Sequence, residues 1–216
     1  MTRIKICCIA TVEEAELAIK LGADALGLVS EMPSGPGVIS DKMIKKISNA
    51  FSNRVDTFLL TSKRTVKEIV EQHRKIGTTT IQIVDSLIDG THDDLRKELP
   101  GIKIVQVIHV GGEDSIDEAI ENAKTTDALL LDSGNQKLPV KELGGTGRTH
   151  NWGISRKIVE SVNVPVYLAG GLNPNNIEDA IKTVQPFGVD ICSGVRTNGK
   201  LDEVKLNEYI RKIKSL

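Results

Sequence analysis

The stretch "RIKICCIATVEEAELAIKLGADALGLV", residues 3–29, joins a short strand pattern, a helical pattern and a second strand pattern. A strand, a helix and another strand in this order form a βαβ unit, in which the two strands pair in parallel. The stretch also places Cys7 and Cys8 side by side at the end of the first strand pattern, directly before the turn into the helix. Two questions follow: how often the βαβ unit recurs along the chain, and what role two neighbouring thiols have at this position.

The alternation continues along all 216 residues. The predicted strands are 3–9, 24–29, 54–60, 79–84, 102–109, 127–132, 165–169 and 188–192. The predicted helices are 12–22, 40–49, 65–76, 91–98, 115–124, 153–161, 175–184 and 202–214. Eight such units at this length predict a closed (β/α)8 TIM barrel of the α/β class, with a doubly wound open sheet as the alternative. No linker composition or charge block interrupts the pattern, so we expect residues 1–216 to form a single barrel domain.

Composition narrows the class of protein. The net charge is −1 and both signs are mixed along the chain, which argues against a nucleic-acid partner. No apolar run approaches the length of a membrane span and no signal-peptide pattern is present, so we expect a cytoplasmic protein without a membrane partner. The three cysteines have no metal-ligand spacing. Since Cys7 and Cys8 point to opposite faces of a strand, a disulfide framework is improbable and free thiols are expected.

Strand parity predicts which side chains face the barrel interior. On the first strand the apolar face should meet the helices, which turns Lys5 and Cys7 inward and Cys8 outward into the packing with the helix layer. The same alternation turns Asp132 and Asp190 inward. A buried lysine needs a partner, and the first and last strands adjoin in a closed barrel. Asp190 is therefore the predicted counter-ion of Lys5.

Cys7 and Asp132 are the candidate catalytic pair. Both are predicted at the carboxyl ends of strands facing the barrel mouth, where barrel enzymes keep their chemistry. A thiol and a carboxyl group across a cavity can serve as base and acid for moving protons. A base must be partly thiolate, so this hypothesis predicts a Cys7 pKa below about 8.5. The alternatives are simple burial of the cysteine and a turn-capping role for the aspartate.

Two glycine turns follow the last two strands. The turns are "LAGGLNPNN", which contains Gly170 and Gly171, and "DICSGV", which contains Ser193 and Gly194. Loops at these strands of a barrel frequently bind phosphate through backbone N–H groups. The pair therefore predicts a phosphate site. The segment 133–152 is too long for an ordinary connection and is predicted to be a mobile loop over the mouth, with plain disorder as the alternative.

Several segments in this order are similar to the phosphoribosylanthranilate isomerase family of tryptophan biosynthesis. They are "KIC" at 5–7, "GADALGLV" at 22–29, "IQI" at 81–83, "LLLDS" at 129–133, "GGTGRTHNW" at 144–152, "LAGGLNPNNIEDAI" at 168–181 and "GVDICSGVRTNGKLD" at 188–202. The resemblance implies a cofactor-free Amadori rearrangement of a phosphorylated aldose amine to a ketose amine. It implies that Cys7 is the general base and Asp132 the general acid. The residues implied to hold substrate or its phosphate are Gly170, Gly171, Ser193, Gly194, Gln82 and Gly145.

Three segments depart from the family pattern. Residues 35–37 (Gly-Pro-Gly) stand where the family usually has an arginine for the anthranilate carboxylate, and Val84 replaces a histidine. His150 and Asn151 replace a Phe-Asp pair. Three interpretations stay open: the family's isomerase with Arg148 or Lys137 replacing the arginine, a paralogue acting on another phosphorylated sugar, and a phosphometabolite binder. The chain is expected to be a monomer or a homodimer that binds a phosphorylated small molecule and no metal.

Overall fold

The computed structural model describes residues 1–134 and 138–216. Eight parallel strands close into a barrel in chain order, and the last strand pairs with the first. The strands are β1 Arg3–Ile6, β2 Ala25–Val29, β3 Asp56–Thr61, β4 Thr80–Ile83, β5 Lys103–His109, β6 Ala128–Asp132, β7 Val166–Leu168 and β8 Gly188–Ile191. The predicted (β/α)8 barrel is confirmed, and the open sheet is excluded by the β1–β8 pairing.

Each barrel strand is followed by a helix. The helices are α1 Val12–Leu21, α2 Asp41–Phe51, α3 Val66–Ile76, α4 His92–Glu98, α5 Asp114–Ala123, α6 Trp152–Ser161, α7 Ile177–Val184 and α8 Glu203–Lys214. Several begin at a polar residue whose side chain accepts a hydrogen bond from the first turn, as Thr11 does from the Glu14 N–H. Gly22 ends α1 in the left-handed conformation that glycine adopts without steric cost.

Side chains alternate between two packed layers, as strand parity predicts. Ile4 and Ile6 belong to the apolar layer between the strands and the helices. The barrel interior holds a separate cluster that includes Cys7, Phe58 and Leu130. The polar residues of the interior therefore lie inside a closed wall of strands, shielded from water on the helix side.

Two features between β8 and α8 are absent from the prediction. A 3-10 helix spans Ser193–Val195, and a small antiparallel hairpin joins β9 Arg196–Thr197 to β10 Lys200–Leu201. Both bring the start of the last connection back over the end of β1, since Arg196 reaches the carbonyl oxygen of Cys8. Within residues 1–134 and 138–216, no helix combines the length and apolarity that a membrane span requires.

The predicted orientation of Cys8 is wrong. β1 ends at Ile6 rather than at residue 9, and Cys8 has a left-handed backbone with φ 61°. Side chains alternate between the two faces of a strand only while the backbone is extended. Because the backbone is no longer extended at Cys8, its side chain turns toward the barrel mouth instead of the helix layer. There it forms a disulfide with Cys192, with the two Cα atoms 5.7 Å apart. The expectation of three free thiols is corrected to one free thiol, Cys7, in the described part of the chain.

Candidate active site

A cavity opens at the carboxyl ends of the barrel strands. Strands β2, β3, β4, β6 and β8 supply its lining, together with the segments that follow β1, β2, β4, β6, β7 and β8. The side chains and backbone that line it are those of Cys7, Cys8, Val29, Met32, Ser34, Gly35, Pro36, Leu60, Gln82, Val84, Asp132, Leu143, Gly144, Gly145, Thr146, Gly147, Ala169, Gly170, Gly171, Leu172, Asp190, Ile191, Cys192 and Ser193. Both candidate catalytic residues and most of the candidate phosphate residues therefore face one space.

The floor of the cavity carries the predicted ion pair. Lys5 is fully buried, and its Nζ donates to Asp190 Oδ2 at 2.7 Å. The two residues are paired in register across the β1–β8 seam, which confirms the inference from parity. Burial by itself lowers the pKa of Lys5, but the charge of Asp190 and the hydrogen bond to it oppose this effect, and the pKa is raised. Lys5 is thus a fixed positive charge beneath the cavity.

Cys7 lines the cavity as a buried thiol. Its side chain is 7% exposed, and Gly27 on the adjacent strand leaves the room that it occupies. Burial, followed by the charge of Asp190, raises the pKa of Cys7 to about 12, although Lys5 opposes the shift. The sequence-based expectation of a pKa below 8.5 is wrong for the unliganded protein. A nearby cation lowers the pKa of a thiol, but here the loss of water around the buried Cys7 raises that pKa by more.

Asp132 ends β6 and is held by local contacts. Its Oδ1 accepts a hydrogen bond from the Ser133 N–H at 2.7 Å, and the carboxyl group is almost entirely buried. Gly144 packs directly against the Asp132 carboxyl group, since a Cβ at that glycine would lie 2.6 Å from Asp132 Oδ2. The carboxyl group therefore faces the cavity from the end of β6, whereas Cys7 lies just after the end of β1.

The two glycine turns meet at the side of the cavity near β7 and β8. Gly170 and Gly171 have φ angles of 83° and 63°, which a residue with a side chain rarely adopts. Ser193 starts the 3-10 helix and lines the same side. Gly194 lies behind it, where a Cβ would come within 2.2 Å of the Leu172 carbonyl oxygen. The turns thus present backbone at close range, while Gly194 permits their packing.

The opposite side of the cavity is apolar. Met32, Leu60, Val84 and Leu143 form this wall, and Gln82 is the polar residue beside them. The Oε1 atom of Gln82 is buried and has no hydrogen-bond partner among the described residues. The cavity therefore combines a backbone-lined end, the Cys7 thiol with the Asp132 carboxyl group, and an apolar end.

The described part of segment 133–152 covers the mouth. Leu143 is buried in the interior cluster, and the Ser34 hydroxyl donates to the Lys141 carbonyl oxygen at 2.7 Å. Gly145 packs against Pro36, where a Cβ would approach to 2.5 Å. Arg148 pairs with Glu142 and does not line the cavity. Lys137 lies outside the described residues.

Sequence reasoning missed two groups that hold the site together. One is the Cys8–Cys192 disulfide, which connects the ends of β1 and β8. The other is Arg196, whose side chain is 8% exposed and forms a bidentate pair with Glu14, both distances being 3.0 Å. A charged residue in a short hairpin strand gives no local sign of burial, so only the adjacency of β1 and β8 could have suggested this pair. Within the described residues, no group of three or more His, Cys, Asp or Glu could hold a metal ion.

Comparison with known proteins identifies the family. The family model described as N-(5'phosphoribosyl)anthranilate (PRA) isomerase matches residues 4–212. The chain belongs to the N-(5'-phosphoribosyl)anthranilate isomerase family. The isomerase of Methanocella arvoryzae is 34% identical over 215 residues, which cover 99% of each chain. The second such isomerase of Methanosarcina mazei is 38% identical over 220 residues, covering 99% of this chain and 94% of the relative.

Solved structures of family members share the whole fold. The phosphoribosylanthranilate isomerase of Thermotoga maritima superposes with a TM-score of 0.81 at 28% identity over all of both chains. Another crystal structure of a phosphoribosylanthranilate isomerase is a complex with reduced 1-(o-carboxyphenylamino)-1-deoxyribulose 5-phosphate. It superposes with a TM-score of 0.79 at 26% identity, again over all of both chains. The family is one of isomerase enzymes, and the resemblance inferred from the motifs is confirmed.

Proposed function

We propose that the protein isomerises N-(5'-phosphoribosyl)anthranilate to 1-(o-carboxyphenylamino)-1-deoxyribulose 5-phosphate, the Amadori step of tryptophan biosynthesis. The observation that carries the proposal is the shared cavity. Cys7 and Asp132 face it from different strands, between a glycine-lined end and an apolar end. This order matches a substrate with a phosphate at one end, reacting carbons in the middle and an aromatic ring at the other end.

Asp132 acts first in the proposed reaction. In its protonated form it donates a proton to the furanose ring oxygen, and the bond between that oxygen and C1′ breaks. The nitrogen lone pair forms a C1′=N double bond, so positive charge appears on the nitrogen. That charge makes the hydrogen on C2′ acidic.

Cys7 then removes the C2′ proton as a thiolate. The electron pair of the C2′–H bond forms the C1′=C2′ double bond and neutralises the nitrogen. Transfer of a proton to C1′ and loss of the C2′ hydroxyl proton complete the ketose, so the product is an isomer of the substrate. Because the resting thiol is protonated, the thiolate must form within the complex. Lys5 beneath it and the cationic nitrogen of the ring-opened substrate both favour that thiolate.

The substrate phosphate lies against the backbone at Gly170, Gly171, Ser193 and Gly194 in this proposal. Backbone N–H groups in glycine turns can approach phosphate oxygens closely, and residues with positive φ turn successive N–H groups to one side. Gln82 and Gly145 line the same cavity. There they contact the sugar and the ring.

The proposal is tested by assaying the purified protein with N-(5'-phosphoribosyl)anthranilate generated in the cuvette. Cys7→Ser and Asp132→Asn should each lower kcat by about 10²-fold or more, the scale of a positioned acid or base. Cys8→Ala breaks the disulfide but leaves Cys7 and Asp132 in place, so it should lower kcat much less than either of those substitutions. Wild-type protein that neither turns over this substrate nor restores growth of a tryptophan auxotroph lacking the isomerase would refute the proposal.

The phosphate end is tested by substitution at Gly171. A Cβ there would lie 2.6 Å from the backbone of Arg148 and Thr149, so any side chain strains the turn. Gly171→Ala measures that strain, and Gly171→Glu adds a negative charge. The glutamate variant should raise KM at least tenfold beyond the alanine variant, because its carboxylate repels phosphate. Equal KM values for the two variants would count against a phosphate at this turn.

A further inference from the structure

Among the described residues, no cationic side chain lines the active-site cavity at its apolar end. The charged groups that line the cavity are the carboxyl groups of Asp132 and Asp190, and Lys5 lies beneath the floor, bound to Asp190. The proposed substrate carries a phosphate and also a carboxylate on its aromatic ring. The phosphate can be held by backbone N–H groups, but a carboxylate left beside Asp132 without a counter-charge would be repelled. The ring carboxylate therefore requires a cation from outside the described lining.

A second surface hollow adjoins the apolar end. It shares Met32 and Leu143 with the active-site cavity, so the two spaces meet at these two side chains. Arg64 and Lys141 also line this second hollow. Lys141 is two residues from Leu143 in the segment that covers the mouth, and its backbone is tied to Ser34 at the other edge of the same mouth. Both cations are thus placed where the aromatic end of the substrate would emerge.

A single buried carboxylate anchors both cations. Asp85 Oδ2 lies 2.6 Å from Lys141 Nζ and 3.3 Å from Arg64 Nε, while the Asp85 side chain is only 5% exposed. Arg64 Nε also donates to the Ser86 carbonyl oxygen at 3.0 Å. Two positive charges on one negative charge leave this group with a net charge of +1. Asp85 itself directly follows Val84, a residue of the cavity wall.

The anchoring leaves donors free for a ligand. The terminal nitrogens Nη1 and Nη2 of Arg64 make no hydrogen bond to any described residue, and Lys141 Nζ uses one of its donors on Asp85. An arginine whose Nε is fixed presents its two terminal nitrogens as a fork, which suits the two oxygens of a carboxylate. The group has the charge and the donors that the cavity lacks.

We infer that Arg64 and Lys141, held together by Asp85, bind the carboxylate on the aromatic ring of the substrate and set the preference for a carboxylated ring. The inference rests on the proposed function for the identity of the substrate. Arg64 and Lys141 thus take the role that the sequence suggested for Arg148, whose guanidinium pairs with Glu142 and does not line the cavity. The carboxylate is bound in both substrate and product, so the pair contributes to binding and not to the proton transfers.

The test compares two stable ligands that differ only in the carboxylate. One is reduced 1-(o-carboxyphenylamino)-1-deoxyribulose 5-phosphate, and the other is its 1-phenylamino counterpart. Calorimetry should show that the wild-type protein binds the carboxylated ligand at least tenfold more tightly, the scale of charge-assisted hydrogen bonds. Arg64→Gln and Lys141→Gln should each remove most of that advantage while binding of the phenyl ligand stays within twofold. Each single variant leaves Asp85 one cation, which protects the fold.

Lys63→Gln is the matched control. Lys63 borders the same hollow but pairs with Glu31, whose side chain is 84% exposed, at 3.6 Å. It should keep the wild-type ratio of the two dissociation constants. An unchanged ratio in both Arg64→Gln and Lys141→Gln, or an equal loss for both ligands, would overturn the inference. Because the readout is binding, that result is distinct from a wild-type protein without isomerase activity, which would instead refute the proposed function.

Discussion

Gly27 on β2 gives the thiol of Cys7 its space. A Cβ built on Gly27 would lie 2.7 Å from Cys7 Sγ and 3.0 Å from Cys7 Cα. Distances below 3.0 Å are not tolerated between such atoms, so even a methyl group would push Cys7 away from β2. Glycine is therefore required at position 27 by the close approach of the Cys7 side chain and not by its own backbone conformation.

Gly27→Ala should lower kcat by about 10–100-fold, because a displacement near 1 Å is enough to misplace a reacting group. It should also destabilise the fold by about 1–3 kcal/mol through overpacking. Gly111→Ala is the control, since a Cβ at Gly111 meets nothing within 4 Å. In a Cys7→Ala background the stability cost of Gly27→Ala should shrink, which urea unfolding of the four variants measures. An undiminished cost would show that the clash does not involve the sulfur.

The Lys5–Asp190 pair should behave as a fully buried ion pair. Lys5→Met leaves the Asp190 carboxylate buried without its partner and should lower the free energy of unfolding by about 3–5 kcal/mol. Replacing both residues, Lys5→Met with Asp190→Leu, should recover much of that loss because no unpaired charge remains. Chemical denaturation measures both variants. A cost below about 1 kcal/mol for Lys5→Met would indicate a solvated pair.

Arg196 should position the turn that carries Cys7. Its Nη2 donates to the Cys8 carbonyl oxygen at 2.5 Å while the guanidinium is paired with Glu14. Arg196→Lys cannot make the bidentate contact, and we expect kcat to fall at least fivefold with KM within twofold, because the turn shifts while the substrate contacts stay. A rise in KM with unchanged kcat would argue against a positioning role.

The Glu14–Arg196 pair should also appear in the pH dependence of stability. Burial raises the pKa of Glu14, but the hydrogen bonds from Arg196 and from backbone N–H groups outweigh it, and the pKa is lowered. A lowered pKa in the folded state stabilises the fold above the pKa of the unfolded chain, about 4.3. That stabilisation is lost as pH falls through the folded value. Thermal unfolding of Glu14→Gln should therefore lose less stability than wild type between pH 5 and pH 3.

Cys7 should titrate far above an ordinary thiol in the unliganded protein. Its pKa of about 12 means that thiolate absorbance near 240 nm should grow only at strongly alkaline pH, with no step between pH 7 and pH 10. The difference spectrum between wild type and Cys7→Ser isolates this signal from tyrosine. Addition of the reduced product analogue tests whether a ligand changes it. A thiolate step near pH 8.5 without ligand would contradict the buried thiol.

The cysteine pairing predicts a simple count of free thiols. Unfolding in an alkylating reagent without reductant should modify one cysteine, Cys7, and three after reduction. Cys192→Ser should lower the free energy of unfolding by about 2–5 kcal/mol, because the bond closes a segment of 184 residues in the unfolded chain. Intact mass spectrometry measures the number of alkylated cysteines. Three modified cysteines without reductant would restore the sequence-based expectation of free thiols.

Strand periodicity predicted much of the candidate site because a barrel strand has only two faces. Once Ile4 and Ile6 are assigned to the helix layer, Lys5 must point inward, and the closure of the barrel sets it beside Asp190. The same argument located Asp132 without any knowledge of tertiary contacts. It failed at Cys8, because the rule holds only while the backbone is extended and β1 ends two residues earlier.

The sequence by itself determined the alternation of strands and helices, the closed barrel and the inward set that includes Lys5, Asp132 and Asp190. These features follow from the periodic spacing of apolar residues, which depends only on residues close together in the chain. Tertiary structure alone decided that Cys8 meets Cys192, that Arg64 and Lys141 share Asp85, and that burial raises the pKa of Cys7. Each of these depends on which loops meet at the barrel mouth and on how much water they exclude. Such quantities arise from residues far apart in the chain.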